Sequence, residues 1–423
     1  MGGNRQSEPG SHLALHGRPY YGMRGEPNRA RNGLSASARV PSVLLSMTLR
    51  RLRVLLLSAV LGAGPLAANA APQAPIKIGL GAPITGSDAN FGTELRNGVE
   101  MAVHDINAAG GLLGHRLSIE IGDDAGDPKQ GEAVANKFVA DHIAFVVGHF
   151  NSGVTLMASS IYADNGILEI TPSSANPQIT ERGLDLLFRT CGRDNQQPAV
   201  AAAYLAGLGK TTIAILHDRT TYGKGLADLT RKDLAARGVS DVLYFSVNKD
   251  ETDYSALIEK LKASGAGIFY WGGSAAQALA ILKALRDQSL TIPMLASDAV
   301  AIEDVATQGG GAVLSSLVTF PRDARDRPEA AKVVQHIKAK GIDPEGYTLY
   351  AYAAVQVIDQ AGEAAHSLDP NAMAKQMHSG MIFHTVLGAL SFDAKGDITQ
   401  SDYSISVWKK SADGTIDFYP LSR

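Results

Sequence analysis

Short apolar runs alternate with segments of helical periodicity along most of this chain, and this order constrains the fold more than any other feature. Residues 76–82 form a short apolar run rich in glycine, and apolar residues then recur at helical spacing from Leu95 to Ile106. Strict alternation of strand and helix predicts α/β structure, with parallel sheets covered by helices on both faces. The pattern restarts near Ile213. Two successive runs of about 120 residues each predict two such lobes.

The last hundred residues lack a sheet of their own. A helix pair is predicted at about 329–340 and 349–365, followed by strands near 388–392 and 404–409. We expect these segments to return to the two lobes and complete them. The predicted lobe I comprises residues 75–192 and 321–395, and lobe II comprises residues 193–320 and 396–423. Several crossings between the lobes imply a hinge.

An export signal is predicted ahead of the first lobe. Three arginines precede the apolar run 54–63, and small residues follow up to Ala70, which is the pattern of a secretory signal peptide. About ten apolar residues are too few to span a bilayer. We therefore expect a signal peptide at 46–70, cleaved near Ala70, and a periplasmic product; the alternative is a buried helix of a cytoplasmic protein. We interpret residues 1–46 as an over-extended start, with translation beginning at Met47.

Composition excludes several classes of protein. The chain has 423 residues, 45% of them hydrophobic, and a pI near 6.4, so a largely disordered chain and a strongly basic nucleic-acid binder are both disfavoured. Without residues 1–70, 30 basic and 40 acidic residues remain, a formal charge of −10. The single cysteine, Cys191, excludes an internal disulfide and a Cys-rich metal site. We expect it to be a free, buried thiol.

Catalytic motifs are missing from the sequence. It contains no H-E-x-x-H, G-x-S-x-G, Walker A or EF-hand pattern. Ser246 and Lys249 match S-x-x-K, a short pattern common by chance. The histidines show no metal spacing, and His378 and His384 are expected in a C-terminal loop region. The pair at 217–218 follows a strand, where it is either a turn device or a ligand contact. We predict no catalysis, no cofactor and no metal.

Long motifs in collinear order give the chain a family resemblance. They are AVHDINAAGGLLG at 102–114, DDAGDPKQGEAVAN at 123–136, VVGH at 146–149, IYADNGILEITP at 161–172, IAILHDRTTYGKGL at 213–226 and FDAKGD at 392–397. From Ile76 to about Phe418 the chain resembles type I periplasmic binding proteins of the leucine/isoleucine/valine class, which serve ABC importers. The resemblance implies two Rossmann-like, doubly wound lobes joined by a three-crossover hinge, closing on a small ligand. It also implies a monomer that delivers its ligand to an inner-membrane ABC permease.

The resemblance assigns the ligand's α-carboxylate to the first lobe. The loop after the third strand matches the family's carboxylate-binding loop, with Ser152 in the place of its serine. The helix that follows favours an anion through its free N–H groups; the alternative for Ser152 is a helix cap. In the next loop Ser173 matches a carbonyl that accepts from the ligand's ammonium. Ala175 replaces the family's threonine, so Ser174 is a candidate to supply the missing hydroxyl.

The resemblance assigns the ligand's ammonium to the second lobe. Tyr222 matches a family tyrosine, and Asp298 matches an acidic residue that pairs with the ammonium, commonly Glu in relatives. A charged ammonium removed from water requires such a partner. The alternative for Asp298 is a helix cap. Ser274 stands at a position that is often aromatic, and Ala299 follows Asp298 in the same segment.

The remaining candidates surround the ligand's side chain. Phe150 is expected to line this part of the site. Phe91 and Tyr352 are each expected either to contribute to it or to lie in the core. Better-known relatives join two first-lobe loops by a disulfide, and the matching positions are Gly126 and Asn151, the latter a further candidate for the site. The sequence thus predicts a transport protein for a branched-chain or related amino acid. The rivals are a clamshell that binds another small carboxylate or amide for transport or sensing, and an enzyme on a doubly wound fold.

Overall fold

The computed structural model describes residues 74–400 and 403–421. The predicted export signal and the segment before it lie outside the described residues. No helix of the described ranges combines the length and apolar character needed to cross a bilayer.

The first sheet is entirely parallel, with strand order β2-β1-β3-β4-β5. Its strands are β1 (Ile76–Ala82), β2 (Leu117–Asp123), β3 (Phe145–Gly148), β4 (Leu168–Thr171) and β5 (Leu187–Arg189). The helices between and after them are α1 (Ala89–Ala109), α2 (Pro128–Ala140), α3 (Ser152–Asp164) and the single turn α4 (Gln178–Glu181). The carboxylate of Asp127 accepts from the N–H groups of Lys129 and Gln130 and so starts α2, with Pro128 at its first position.

The second sheet repeats this order in its parallel part, β7-β6-β8-β9-β10. Its strands are β6 (Ile213–His217), β7 (Leu243–Ser246), β8 (Ile268–Gly272), β9 (Met294–Ala296) and β10 (Leu317–Phe320). The accompanying helices are α5 (Gln197–Gly207), α6 (Thr221–Ala236), α7 (Ser255–Ser264), α8 (Ala275–Asp287) and α9 (Glu303–Gly309). The α/β architecture with two mainly parallel, doubly wound sheets is therefore confirmed.

After β10 the chain returns to the first sheet and then goes back to the second. The remaining elements are α10 (Ala331–Ala339), α11 (Thr348–Ala365), α12 (Pro370–His378), β11 (Phe383–Thr385), β12 (Gly388–Leu390), β13 (Ser404–Lys410) and β14 (Ile416–Pro420). Helix α11 packs along α1, and α12 lies against β4. Strand β13 pairs antiparallel with β10, and β14 pairs with β13. The chain thus passes between the two sheets three times.

Two details of the C-terminal part differ from the sequence prediction. The strand near 388–392 does not join the first sheet, because within the described residues β11 and β12 pair only with each other in a two-stranded hairpin. His378 ends helix α12 and His384 lies on β11, so neither is in a loop. The N-terminal signal of α12 is present in the sequence, since Asp369 accepts from the N–H of Asn371 and Pro370 occupies the first position.

Candidate functional site

A cavity of about 820 Å³ lies against loops from both sheets. Its walls include the segments that follow β1 and β3 in the first sheet and β6 and β8 in the second. Strand β1 in the first sheet and strand β6 in the second each lie between two other strands. The strand order reverses at these two positions. Ligands of doubly wound proteins bind outside the carboxyl ends of strands at such a point. The cavity volume falls toward the upper end of the range of small-molecule sites.

The start of helix α3 forms one wall of the cavity. Asn151, Ser152 and Gly153 all line it, and first-turn N–H groups of a helix have no intrahelical acceptors. The N-cap of α3 is Asn151, and the Ser152 hydroxyl accepts from the N–H of Asn176 at 3.3 Å. The helix-cap alternative for Ser152 is therefore wrong.

The loop between β3 and α3 contains a buried imidazole that fixes it to neighbouring side chains. His149 is fully buried; its Nδ1 lies 2.6 Å from an Asp124 carboxylate oxygen and its Nε2 lies 3.0 Å from the Tyr162 hydroxyl. Any side chain at position 81 would collide with this ring, because a Cβ on Gly81 would lie 2.4 Å from His149 Cε1. Strand β1 therefore requires glycine there, and the loop between β3 and α3 packs against a fixed support.

Only one of the three predicted site residues in the loop after β4 reaches the cavity. Ser173 lines the cavity, whereas Ser174 and Ala175 are buried beneath its wall. The Ser174 hydroxyl lies 2.6 Å from Thr155 Oγ1 and 2.9 Å from the carbonyl oxygens of His149 and Phe150. This hydroxyl is engaged within the first lobe. It does not replace the threonine hydroxyl that Ala175 lacks, so that expectation is wrong.

Three aromatic rings form the apolar part of the wall. Phe91 and Phe150 stack with their ring centroids 4.2 Å apart and 16° between the planes. Tyr347 meets Phe150 edge-on at 5.7 Å and lies 6.2 Å from Phe91. Phe91 comes from α1, Phe150 from the loop after β3 and Tyr347 from the N-cap of α11. An apolar ligand group can pack against this cluster.

Asp298 lies directly behind the aromatic wall and is not part of the cavity lining. It is 2% exposed. Its carboxylate accepts from the hydroxyls of Tyr222, Tyr347 and Tyr403 and from the side-chain amide of Gln197. All four of these donors are neutral. The carboxylate accepts no backbone N–H in the described structure, so the helix-cap alternative for Asp298 is wrong.

Two of the tyrosines that donate to Asp298 also lie at the cavity surface. Tyr222 and Tyr347 both line the cavity. Burial, with the adjacent Asp298 carboxylate adding to it, raises the pKa of both phenols well above the ordinary value. Both hydroxyls are therefore neutral at physiological pH. A hydroxyl that donates to a carboxylate is polarised, and its free lone pairs become better acceptors.

The second sheet supplies two further helix starts to the cavity. Thr220 caps α6 by accepting from the N–H of Gly223 at 2.9 Å, and Ser274 caps α8. Asp218, which follows β6, contacts both of these helix starts. Its carboxylate accepts from the N–H of Thr220 at 3.0 Å and from the N–H of Ser274 at 3.2 Å. Burial raises the pKa of Asp218, and these hydrogen bonds oppose the shift. These contacts fit the turn role that the sequence predicts, and Asp218 also lines the cavity, where it can contact a ligand.

Two hydrogen bonds join the walls that belong to different sheets. Asn176 Nδ2, from the loop after β4, donates to the carbonyl oxygen of Thr221 at 2.9 Å. Lys249 Nζ, from the segment after β7, donates to the carbonyl oxygen of Gly126 at 3.1 Å. The two walls are thus in direct contact around the cavity.

Eight of the twelve predicted site residues line the cavity and four do not. Those that do are Phe91, Phe150, Asn151, Ser152, Ser173, Tyr222, Ser274 and Ala299. Ser174, Ala175 and Asp298 lie behind the wall, and Tyr352 lies elsewhere, with its hydroxyl donating to Asp105 Oδ2 at 2.9 Å. Sequence reasoning missed Asp88, Lys249 and Tyr347. Asp88 accepts from Asn151 Nδ2 at 2.8 Å, so this contact joins the loop after β1 to the loop after β3.

The cysteine positions agree with the sequence prediction. Cys191 is free and buried, and burial raises the pKa of its thiol. Gly126 and Asn151, which match the disulfide positions of relatives, lie side by side: a Cβ on Gly126 would be 3.1 Å from Asn151 Oδ1.

Comparison with known proteins agrees with this architecture. The sequence signature of the periplasmic binding protein family matches residues 75–415. A Leu/Ile/Val-binding protein homolog 1 from Brucella suis biovar 1 is 46% identical over 368 residues, covering 87% of this chain and 99% of the relative.

Two solved structures share the fold at low sequence identity. A branched-chain amino acid transporter substrate binding protein from Streptococcus pneumoniae, solved with isoleucine, superposes with a TM-score of 0.72 at 22% identity, covering 82% of this chain and 100% of that one. A solute binding protein of an ABC transporter from R. palustris, solved with 4-hydroxybenzoate, gives 0.74 at 21% identity, covering 82% and 96%. The chain therefore belongs to the type I periplasmic binding protein family, in its Leu/Ile/Val-binding branch, a family of binding proteins and not of enzymes.

Proposed function

We propose that this protein captures an amino acid, most simply a branched-chain or related aliphatic one, between its two lobes and delivers it to an inner-membrane ABC permease. The observation that carries the proposal is that one cavity is lined both by an anion-favouring helix start at Ser152 and by two tyrosines, Tyr222 and Tyr347, that donate to the buried carboxylate of Asp298. A free amino acid carries both charges that these groups require.

The carboxylate end of the ligand is assigned to the first-lobe wall. The start of α3 offers N–H groups together with the positive end of the helix dipole. Ser152, the first residue of α3, and Ser173 both line the cavity and can add hydroxyl groups to this part of the site. The starts of α6 and α8 lie on the facing wall.

The ammonium end is assigned to Tyr222 and Tyr347, backed by Asp298. A buried carboxylate surrounded by neutral donors favours the approach of a cation, since buried charges are stable only when paired. An ammonium that contacts the phenol oxygens stays within range of this charge without displacing them. Asp298 thus acts through the two tyrosines in this proposal, and the sequence-based picture of direct contact is modified accordingly.

The side chain of the ligand is assigned to the aromatic cluster of Phe91, Phe150 and Tyr347. An aliphatic group gains most by leaving water for such a surface. The cavity volume of about 820 Å³ leaves room for ligands larger than leucine.

A second candidate is an aromatic carboxylate. The stacked Phe91–Phe150 pair is suited to packing an aromatic ring, and a structure of the same fold holds 4-hydroxybenzoate. Such a ligand would use the Ser152 wall but would leave Asp298 without a cation. Its binding would therefore be independent of the charge at position 298.

Calorimetric titration with a ligand panel tests the proposal. The panel comprises leucine, isoleucine, valine, phenylalanine, serine and 4-hydroxybenzoate, titrated into protein from which bound ligand has been removed by unfolding and refolding. We expect saturable binding of aliphatic amino acids at one equivalent per chain. Binding of 4-hydroxybenzoate alone would support the second candidate. Conversion of any ligand into a product would contradict a binding function.

The proposed location is the periplasm, reached through the export signal at 46–70. Mass spectrometry of the protein isolated from the periplasm should give a chain that begins close to residue 71, after Ala70. Recovery of the product from the cytoplasm with residues 1–70 attached would contradict export.

A further inference from the structure

A side-chain cluster outside the ligand cavity has the composition of a metal site. His104 and Asp105 lie near the end of α1, and His336 lies on α10. Their candidate ligand atoms all lie within 4.8 Å of one another. The cluster does not line the cavity described above. No sequence motif reveals it, because His336 is far from the other two residues along the chain.

The two carboxylate–imidazole distances lie close to those of a tetrahedral zinc centre. Asp105 Oδ1 lies 2.9 Å from His104 Nδ1 and 3.5 Å from His336 Nδ1. Zinc bonds of about 2.0–2.2 Å to nitrogen and oxygen place the ligand atoms of a tetrahedron about 3.3–3.6 Å apart. Zinc binding would widen the His104 contact from 2.9 Å into this range. Three protein ligands leave a fourth position for water.

The carboxylate is already oriented for this role. Its other oxygen, Oδ2, accepts from the Tyr352 hydroxyl at 2.9 Å, which leaves Oδ1 directed at the two imidazoles. Hydrogen bonds of this kind fix metal-binding carboxylates in known sites. Tyr352, which the sequence suggested for the amino-acid site, thus has a definite contact here instead.

The cluster is open to ions from solution. The side chains of His104, Asp105 and His336 are 56%, 27% and 40% exposed. Two imidazoles and one carboxylate favour zinc and its neighbours among the divalent transition metals over Ca²⁺ or Mg²⁺, which prefer oxygen ligands. Helix α10 buries only Ile337, so a metal bridge to α1 would add a strong tie to a weakly packed helix.

We propose that His104, Asp105 and His336 bind one divalent transition-metal ion of the zinc class and thereby link α10 to α1. This site is separate from the amino-acid cavity. Its occupancy is expected to stabilise the fold, because an ion that binds only the folded chain shifts the folding equilibrium.

The test is a titration of ZnCl₂ into the exported protein, purified without a histidine tag and stripped with EDTA. We expect one equivalent of Zn²⁺ to bind and to raise the melting temperature. The double substitution His104→Ala and His336→Ala should abolish both effects, whereas His384→Ala, at an exposed histidine on β11, should leave them intact. Tyr352→Phe should weaken zinc binding by about tenfold, the lower end of the range for second-layer contacts.

Melting curves in EDTA establish that the double variant is folded, and leucine titration provides a second check, since the cavity is unchanged in the proposal. A wild-type protein that takes up no zinc would overturn the proposal. Equal zinc binding by the double variant, or the same loss in His384→Ala, would overturn it as well.

Discussion

The substitution Asp298→Asn tests the role of the buried charge. The carboxylate is 2% exposed and accepts from Tyr222, Tyr347, Tyr403 and Gln197. Asparagine keeps the shape and an acceptor oxygen but removes the charge. If an ammonium contacts the phenol oxygens, the binding of an amino acid should weaken while the ligand-free fold stays intact.

The expected magnitude follows from the geometry. An ammonium hydrogen-bonded to a phenol oxygen would lie about 4–5 Å from the carboxylate, where a charge pair at an effective dielectric of 20 is worth about 3–4 kcal/mol. Desolvation and rearrangement widen this to about 2–4 kcal/mol. The dissociation constant of the best amino acid should therefore rise about 30- to 1,000-fold.

Calorimetry gives the dissociation constant, and thermal unfolding without ligand gives the stability. We expect the ligand-free Asp298→Asn protein to melt within a few degrees of wild type. Asp359→Asn, a matched change on α11 outside the cavity lining, should leave the affinity unchanged. Wild-type affinity in Asp298→Asn would refute the reasoning. An equal loss for ligands with and without an amino group would assign Asp298 a purely structural role.

Two further predictions concern the contact between the walls and the pH dependence of stability. Lys249→Met removes the hydrogen bond to the Gly126 carbonyl but keeps the apolar stem of the side chain. It should weaken ligand binding by about 1 kcal/mol, seen as faster ligand release in stopped-flow measurements. An unchanged release rate would contradict a role of this hydrogen bond in closure. Burial, with Glu363 adding to it, raises the pKa of Asp359 to about 6. Because the folded state then holds its proton more tightly than the unfolded state, this group should reduce stability as pH rises from about 4 to 6. After allowance for solvent screening, Asp359→Asn should therefore raise the free energy of unfolding by about 1 kcal/mol at pH 7.5. The substitution should have little effect at pH 4. Equal effects at both pH values would refute this pKa assignment.

The alternation of strands and helices could be predicted because each element carries its own periodicity. The two sheets and the helices that cover them follow from runs such as β1 and α1, whose apolar spacing is local. The hairpin of β11 and β12 could not be predicted in the same way, since a three-residue strand carries too little pattern to choose a partner. Helix α12 was missed although Asp369 and Pro370 mark its start.

The site could be predicted where it depends on a loop that follows a strand. Ser152, Ser173 and Tyr222 are examples, because the carboxyl ends of parallel strands meet at one edge. The enclosure of Asp298 by Tyr347 and Tyr403 could not be predicted, since it depends on how distant segments pack.

The position of Tyr352 was predictable in hindsight. It lies five residues after Tyr347 at the start of α11, a separation that turns it about 140° around the helix axis. The two tyrosines therefore cannot face the same cavity, and the structure directs Tyr352 to Asp105 instead.

The most direct test of the account compares leucine with 4-methylpentanoate, which has the same carbon skeleton and carboxylate but no amino group. Both compounds are titrated calorimetrically into wild-type protein and into Asp298→Asn. The account predicts that 4-methylpentanoate binds wild type about 30- to 1,000-fold more weakly than leucine does, and that the substitution leaves its affinity nearly unchanged. Binding of 4-methylpentanoate to wild type as tightly as leucine would contradict the claim that the two lobes hold a zwitterion between Ser152 and the tyrosines backed by Asp298.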